Sequence, residues 1–425
     1  MSRRRLPRLG LAVWALLAVA LVLRLGYVAA TPDYAIVHDA RDYDYHARSI
    51  ARGEGYGLSF ELPTAFRPPG YSFLLAGVYD VAGVAREGVD ERVPPARIVQ
   101  AFVGTLAVAL IGVIAAQLWG RREALAALAL GAVYLPLILI GGALMSEPLF
   151  VVLMLGSLAA AIQLRRSSHK LGWALLAGFV AGLAILTRAN GFVLLLPLAI
   201  GAWDLRPRWS WRALAPPALL VVVALATVAP WTIRNTVELH SFVPVSTQLG
   251  SALAGTYNDD ARLDRENPAS WRSLRRIDEL RSIYGQVGTI PEAELEKQLR
   301  HESFEYIRDH PGYVGTVAFW TSRRMLELGG LDWARHTYST VSVGPGWANA
   351  GVICFWVIAL LAVAGAFTVR ARRTPLFVWA VPLLMYLSVV FLVVETPRYR
   401  SPIDPFVILL AALAVTAAAK RLRHP

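Results

Sequence analysis

Residues 9–30 read LGLAVWALLAVALVLRLGYVAA, an apolar stretch interrupted by one charge, Arg24. About 20 such residues are enough to carry a helix across a bilayer. The pattern recurs along the chain. After Leu9–Ala30 come Ala96–Leu118, Ala124–Ala143, Pro148–Leu164, Leu171–Leu186, Gly191–Trp203, Ala213–Ala229, Trp347–Val369, Pro375–Val394 and Pro405–Ala419. Hydrophobic residues make up 56% of the 425 and charged ones only 17%, against about 25% charged in a soluble protein. The expected fold class is therefore an all-α polytopic membrane protein, a bundle of about ten transmembrane helices.

The net charge of +12 comes almost entirely from arginine. A basic chain can bind nucleic acid, but here the cations sit in short clusters between apolar runs, which reads as membrane topology. The clusters are Arg3/Arg4/Arg5/Arg8, Arg121/Arg122, Arg165/Arg166/Lys170, Arg206/Arg208/Arg212, Arg370/Arg372/Arg373 and Lys420/Arg421/Arg423. With ten spans all of them fall on one side, which the positive-inside rule makes cytoplasmic together with both termini. The expected location is the plasma membrane, with membrane lipids as surroundings and no nucleic-acid partner. The basic N-terminus followed by an apolar run reads as an uncleaved first span. Tyr71–Val84 is apolar but short, and is expected to be re-entrant or interfacial. The single cysteine, Cys354, excludes an intrachain disulfide and a cysteine zinc site.

Three regions follow: an N-terminal transmembrane module, 1–230, containing an outer loop at 31–97; an outer-face segment, 231–346, with short helices; and C-terminal transmembrane helices, 347–425. In the middle segment, Thr289 before Pro291, Glu292 and Glu294 signals a helix start. Leu295, Leu299, Phe304 and Ile307 give it a rough apolar stripe.

The first outer loop holds the densest chemistry, His38-Asp39-Ala40-Arg41-Asp42-Tyr43-Asp44-Tyr45-His46. Asp39 and Asp42, three apart, share one face of a helix that Gly53 would end. An acid at that helix N-terminus is favoured by the dipole and suited to act as a general base, or it is only the cap of a solvated surface helix. His38, Asp39, Asp42, Asp44 and His46 are also the ligand types of a divalent cation. Further on, Arg67-Pro68-Pro69-Gly70-Tyr71 makes a stiff entry into an apolar helix and holds Arg67 at the membrane surface. A guanidinium there can take phosphate through two parallel hydrogen bonds. Glu147 lies between apolar runs before Pro148, as a second site carboxylate or as a helix cap paired with Arg188. Arg24 could snorkel outward or neutralise Asp42 or Glu147.

The pattern Asp39-Ala40-x-x-Tyr43-x-x-x-Ala47-x-x-Ile50-x-x-Gly53-x-Gly55-Tyr56, followed by Arg67-Pro68-Pro69-Gly70-Tyr71, resembles glycosyltransferase family 39 of the GT-C superfamily. Relatives there are the dolichyl-phosphate-mannose protein mannosyltransferases and the bacterial transferases that add aminoarabinose to lipid A. Ser146-Glu147-Pro148-Leu149-Phe150, Leu186-Thr187-Arg188-Ala189-Asn190-Gly191, Pro230-Trp231-Thr232-Ile233-Arg234-Asn235 and Arg398-Tyr399-Arg400-Ser401-Pro402-Ile403-Asp404-Pro405-Phe406 extend the resemblance from Asp39 to Phe406. Ala189, where many relatives have proline, and the crowded Asp42/Asp44/His46 set depart from it.

The resemblance implies an inverting glycosyltransferase. It would move a sugar from a polyprenyl-phosphate donor to an acceptor hydroxyl of a lipid, glycan or protein on the outer face. Asp39 would be the base, with Asp42 and Glu147 shaping the site. Phosphate is already a stable leaving anion, so the site needs placed positive charge rather than an acid. Arg67, Arg188, Arg234, Arg398 and Arg400 are the candidates, Arg67 and Arg398 foremost. No cofactor is required, and a metal is an option. The alternative is a membrane transporter or lipid-linked-sugar flippase.

Overall fold

The computed structural model describes residues 10–57, 63–203, 210–392 and 397–422. Among these there is no strand, only two isolated bridges, Gly57 with Pro63 and Val287 with Ile290. The helices in order are α1 (Leu11–Ala30), α2 (Asp39–Ala51), α3 (Pro69–Val81), α4 (Val89–Leu118), α5 (Arg121–Val133), α6 (Leu135–Gly141), α7 (Glu147–Leu164), α8 (Lys170–Thr187), α9 (Leu195–Ala202) and α10 (Trp211–Glu238). The outer segment holds α11 (Gln248–Thr256), α12 (Asp259–Leu263), α13 (Arg281–Tyr284), α14 (Glu292–Asp309), α15 (Pro311–Met325) and α16 (Leu331–Ser339). The chain ends with α17 (Pro345–Ala366), α18 (Val369–Arg372), α19 (Leu376–Val390) and α20 (Asp404–Arg421).

Among the described residues six helices are long and apolar enough to cross a membrane: α1, α4, α7, α8, α10 and α17. The bent pair α5–α6 makes a seventh if counted as one span. The other predicted runs are also helical, but Ala189–Ala202 and Leu376–Val390 are shorter, and α20 carries charges at both ends. Helix α3 has 13 residues, about 20 Å at 1.5 Å per residue, too short for a core about 30 Å thick. Helix α10 continues past Pro230 to Glu238, farther than the apolar run it contains. The clusters at Arg3–Arg8, Arg206/Arg208 and Arg423, and residues 393–396, lie outside the described residues.

Two local features hold the bundle close. Gly178 and Gly182 present no side chain to α10, so the α8 backbone lies against Leu220 and Ala224, the small-residue spacing typical of membrane helix pairs. The run expected as one span at 124–143 instead bends by 55° between α5 and α6. Pro136 explains this: it has no N–H for the carbonyl of Ala132, four residues earlier. The preceding N–H, that of Leu135, turns to Cys354 Sγ at 3.4 Å. Arg24 fills the gap. Its guanidinium donates to the carbonyls of Ala132 (3.5 Å), Gly131 (3.4 Å) and its own Ala20 (2.9 Å). Arg24 therefore neither snorkels nor pairs with Asp42 or Glu147. It satisfies backbone groups that water cannot reach.

Glu292 is one of the residues that stitch the outer segment to the first loop. Glu292, at the start of α14, accepts from Ala65 N (3.0 Å) and from the hydroxyls of Thr64 and Thr247 (2.5 Å each). The helix-start signal at Pro291 is realised. Of the expected stripe, Leu299 is buried and Phe304 is exposed.

Candidate active site

Helix α2 opens with Asp39 and Asp42 in its first turn. It ends as its sequence dictates: Gly53 takes φ 77°, its N–H bonds to Ile50 O at 2.9 Å, and Glu54 N bonds to Ser49 O at 2.9 Å, a Schellman stop. Before Asp39, His38 sits at φ 46°, ψ −123°, a backbone state that costs a non-glycine residue about 1–3 kcal/mol. Pro68 is extended and Pro69 occupies the first turn of α3, so Arg67 is delivered from a rigid elbow. Gly70 lets this elbow press on the end of α8. A Cβ there would lie 2.7 Å from Thr187 Oγ1 and 3.0 Å from Leu186 O. Arg67 and Arg188 thus reach the same place.

There the charges alternate. Arg67 donates from Nε (3.0 Å) and Nη2 (2.8 Å) to Asp42 Oδ2, and from Nη2 to Asp39 Oδ1 at 2.8 Å. Arg398 Nη2 donates to the other Asp39 oxygen, Oδ2, at 2.7 Å. Its Nε lies 3.6 Å from Glu147 Oε1, which is 2.7 Å from Arg188 Nη1. Three carboxylates and three guanidiniums form one chain, Asp42–Arg67–Asp39–Arg398–Glu147–Arg188. Aromatic faces brace it: Tyr43 and Phe66 under Arg67, and Tyr399 under both Arg188 and Arg398. Burial works to raise the Asp39 pKa, but Arg398 and Arg67 outweigh it and hold the carboxyl well below the usual carboxylate range.

Asp39, Arg67, Arg188 and Arg398 line a cavity of about 550 Å³, within the size range of small-molecule sites. Tyr43, Asn190, Ser388 and Tyr399 add polar groups to the same wall. The facing wall comes from residues 241–249 and from Glu296, Lys297 and Arg300 on α14. Sequence reasoning did not pick out these α14 residues. Their signal is modest: Glu296 and Arg300 are four apart, paired at 3.7 Å, beside one of only three lysines in the chain.

Two of the five candidate arginines are committed elsewhere. Arg234 donates to Thr64 O (2.6 Å) and Tyr56 O (2.7 Å), fastening the first loop to α10. Arg400 is buried against Asp404 (2.9 Å), Glu327 (3.2 Å) and Met325 O (2.7 Å), tying the outer segment to α20. Neither lines the cavity.

The metal-candidate set does not converge. Asp44 points away to Arg92 Nη2 and Tyr79 OH, both at 2.8 Å. His46 stacks on Tyr56 at 4.4 Å with Nδ1 3.1 Å from Gly57 O, and burial pushes its pKa down to about 4. Asp39 and Asp42 are bridged by Arg67. Among the described residues no three metal-ligating side chains gather, so these residues do not form a ready donor set.

Residues 66–233 match the model of the dolichyl-phosphate-mannose-protein mannosyltransferase family. No curated protein sequence matches the chain. Among solved structures, the apo oligosaccharyltransferase of Archaeoglobus fulgidus is similar with a TM-score of 0.57 at 13% identity, over 96% of this chain and 51% of that one. The archaeal oligosaccharyltransferase AglB from the same organism, in complex with an inhibitory peptide and a dolichol-phosphate, gives 0.54 at 11%, over 96% and 50%. ArnT from Cupriavidus metallidurans bound to undecaprenyl phosphate gives 0.45 at 17%, over 96% and 79%, too loose a likeness to argue from. The chain spans about half the length of the archaeal structures. The chain shares the helical fold of the archaeal oligosaccharyltransferase.

Proposed function

We propose that the chain is a GT-C glycosyltransferase that moves a sugar from a polyprenyl-phosphate donor to an acceptor hydroxyl at the non-cytoplasmic face. The observation that carries this reading is Asp39 in the cavity wall with a different arginine on each carboxylate oxygen. One group can take a proton, and its two neighbours can take a phosphate. The dolichol-phosphate in the archaeal neighbour supports a lipid-linked donor, and the family match supports a sugar carried that way. The facing wall on α14 would take the acceptor.

In the resting arrangement Asp39 is a weak base, because both its oxygens are occupied. Donor phosphate competes for the same guanidiniums. When Arg398 turns to the phosphate, Asp39 Oδ2 is released and its basicity rises. The acceptor O–H then loses its proton to Asp39 while its oxygen attacks the anomeric carbon from the face opposite the phosphate. The bond from that carbon to the phosphate oxygen breaks, and polyprenyl phosphate leaves with the electron pair. Inversion follows from this single displacement. Arg67, Arg398 and Arg188 stabilise the charge on the leaving group.

The test is transfer of labelled sugar from synthetic polyprenyl phosphates by purified protein, with product stereochemistry read by NMR. Movement of lipid-linked sugar across vesicles without any glycosidic product overturns the reading in favour of a flippase.

A further inference from the structure

A second cavity, about 460 Å³, lies at the other end of the bundle. Arg165 and Arg166 sit just before α8, whose far end leads to Arg188. The 18 residues of α8 separate the two cavities by about 27 Å. Four guanidiniums converge here from two separate connections, Arg165 and Arg166 from the one before α8, Arg370 and Arg373 from α18 and the residue after it.

These arginines differ in their commitments. Arg165 is fixed by Gly201 O at 3.1 Å and lies over the Phe377 ring. Arg370 pairs with buried Glu123. Arg166 and Arg373 are exposed and have no ion-pair partner among the described residues. Among the described residues one acid thus faces four cations, and two forks are left to take a ligand. The rest of the cavity is built. Trp119 Nε1 donates to Thr374 Oγ1 at 3.0 Å, and Leu118, Ile162 and Phe377 make an apolar flank. Arginines that only set topology need a sidedness, not a shared cavity with an apolar wall.

We infer that this cavity binds a phosphate group, held by Arg166 and Arg373, with an aliphatic chain against the Leu118–Phe377 flank when the phosphate belongs to a membrane lipid. Guanidinium forks match phosphate oxygens in pairs, and basic pockets between membrane helices hold anionic headgroups.

The experiment uses the full-length protein in detergent and short-chain phosphatidylglycerol as the probe, with phosphatidylcholine for comparison and inorganic phosphate as competitor. Phosphatidylglycerol should bind in preference to phosphatidylcholine. R166Q/R373Q should weaken that binding roughly 30-fold, about fivefold per guanidinium lost. R166K/R373K keeps both charges, and so guards against misassembly; it should fall between the two. Displacement by inorganic phosphate at comparable concentration would mean that the phosphate alone is recognised, and failure to displace would identify a lipid as the source. The control R122Q/R421Q removes equal charge from the same end without touching the cavity. An equal loss in that control, or no preference for the anionic lipid, overturns the inference. Sugar transfer is not the readout, so the outcome is independent of the first cavity.

Discussion

Arg398 reaches Asp39 across 359 positions of sequence, its Nη2 2.7 Å from Oδ2, and closes the carboxylate that Arg67 already holds from the other side. That contact makes Asp39 a competitor of the donor for Arg398. Asp39→Asn removes the competitor and, in the proposed reaction, the base. The kcat for transfer should drop roughly 10²–10⁴-fold, while the Kd for polyprenyl phosphate stays level or tightens. Weakened donor binding with kcat preserved would show that Asp39 holds the donor instead of taking the proton.

Glu147 is almost fully buried between Arg188 and Arg398. Glu147→Gln leaves both cations short of a counter-charge in a water-poor place. The expected cost is about 3 kcal/mol, seen as a lower thermal midpoint in detergent with reduced transfer. Lost transfer at an unchanged midpoint would mean that Glu147 acts on substrate directly.

His46 gives the loop a pH dependence. Its pKa is pushed down to about 4, so the folded state favours the neutral ring and the unfolded chain binds the proton more tightly. Stability from this group is complete above about pH 6.5 and is lost as pH falls toward 4. Between pH 6.5 and 5 the loss should reach about 2 kcal/mol. His46→Gln should flatten the thermal-midpoint profile over that window; an unchanged slope would refute the assignment.

Arg24 and Pro136 should be coupled. Arg24→Leu strips donors from the carbonyls of Gly131 and Ala132, at a cost of about 1–3 kcal/mol. Pro136→Ala supplies an N–H for Ala132, so Arg24→Leu should be milder in that background. A double-mutant cycle on thermal stability measures the difference, and strict additivity would contradict the pairing.

What could be read from the sequence was what depends on nearby residues. Apolar runs named the helices, Gly53 marked the end of α2, and the Pro68–Pro69 elbow placed Arg67. The ordered motifs brought Asp39, Arg67, Arg188 and Arg398 to one site, where the cavity has them. Long-range pairing was not legible. Arg234 and Arg400 have the same chemistry as Arg67, yet carbonyls and acids from other segments claim them. Asp44 has the same chemistry as Asp42, one face of α2 away, and is claimed by Arg92. The break at Pro136 was hidden because its neighbours are as apolar as any span, and only packing against α1 shows why Arg24 is tolerated there.

The Arg24 bridge also bears on how the protein is made. Helix α1 leaves the ribosome before α5 and α6, so the guanidinium is already in the membrane when the proline-broken carbonyls arrive. A circular permutant that delivered α1 last would expose those carbonyls to hydrocarbon during insertion.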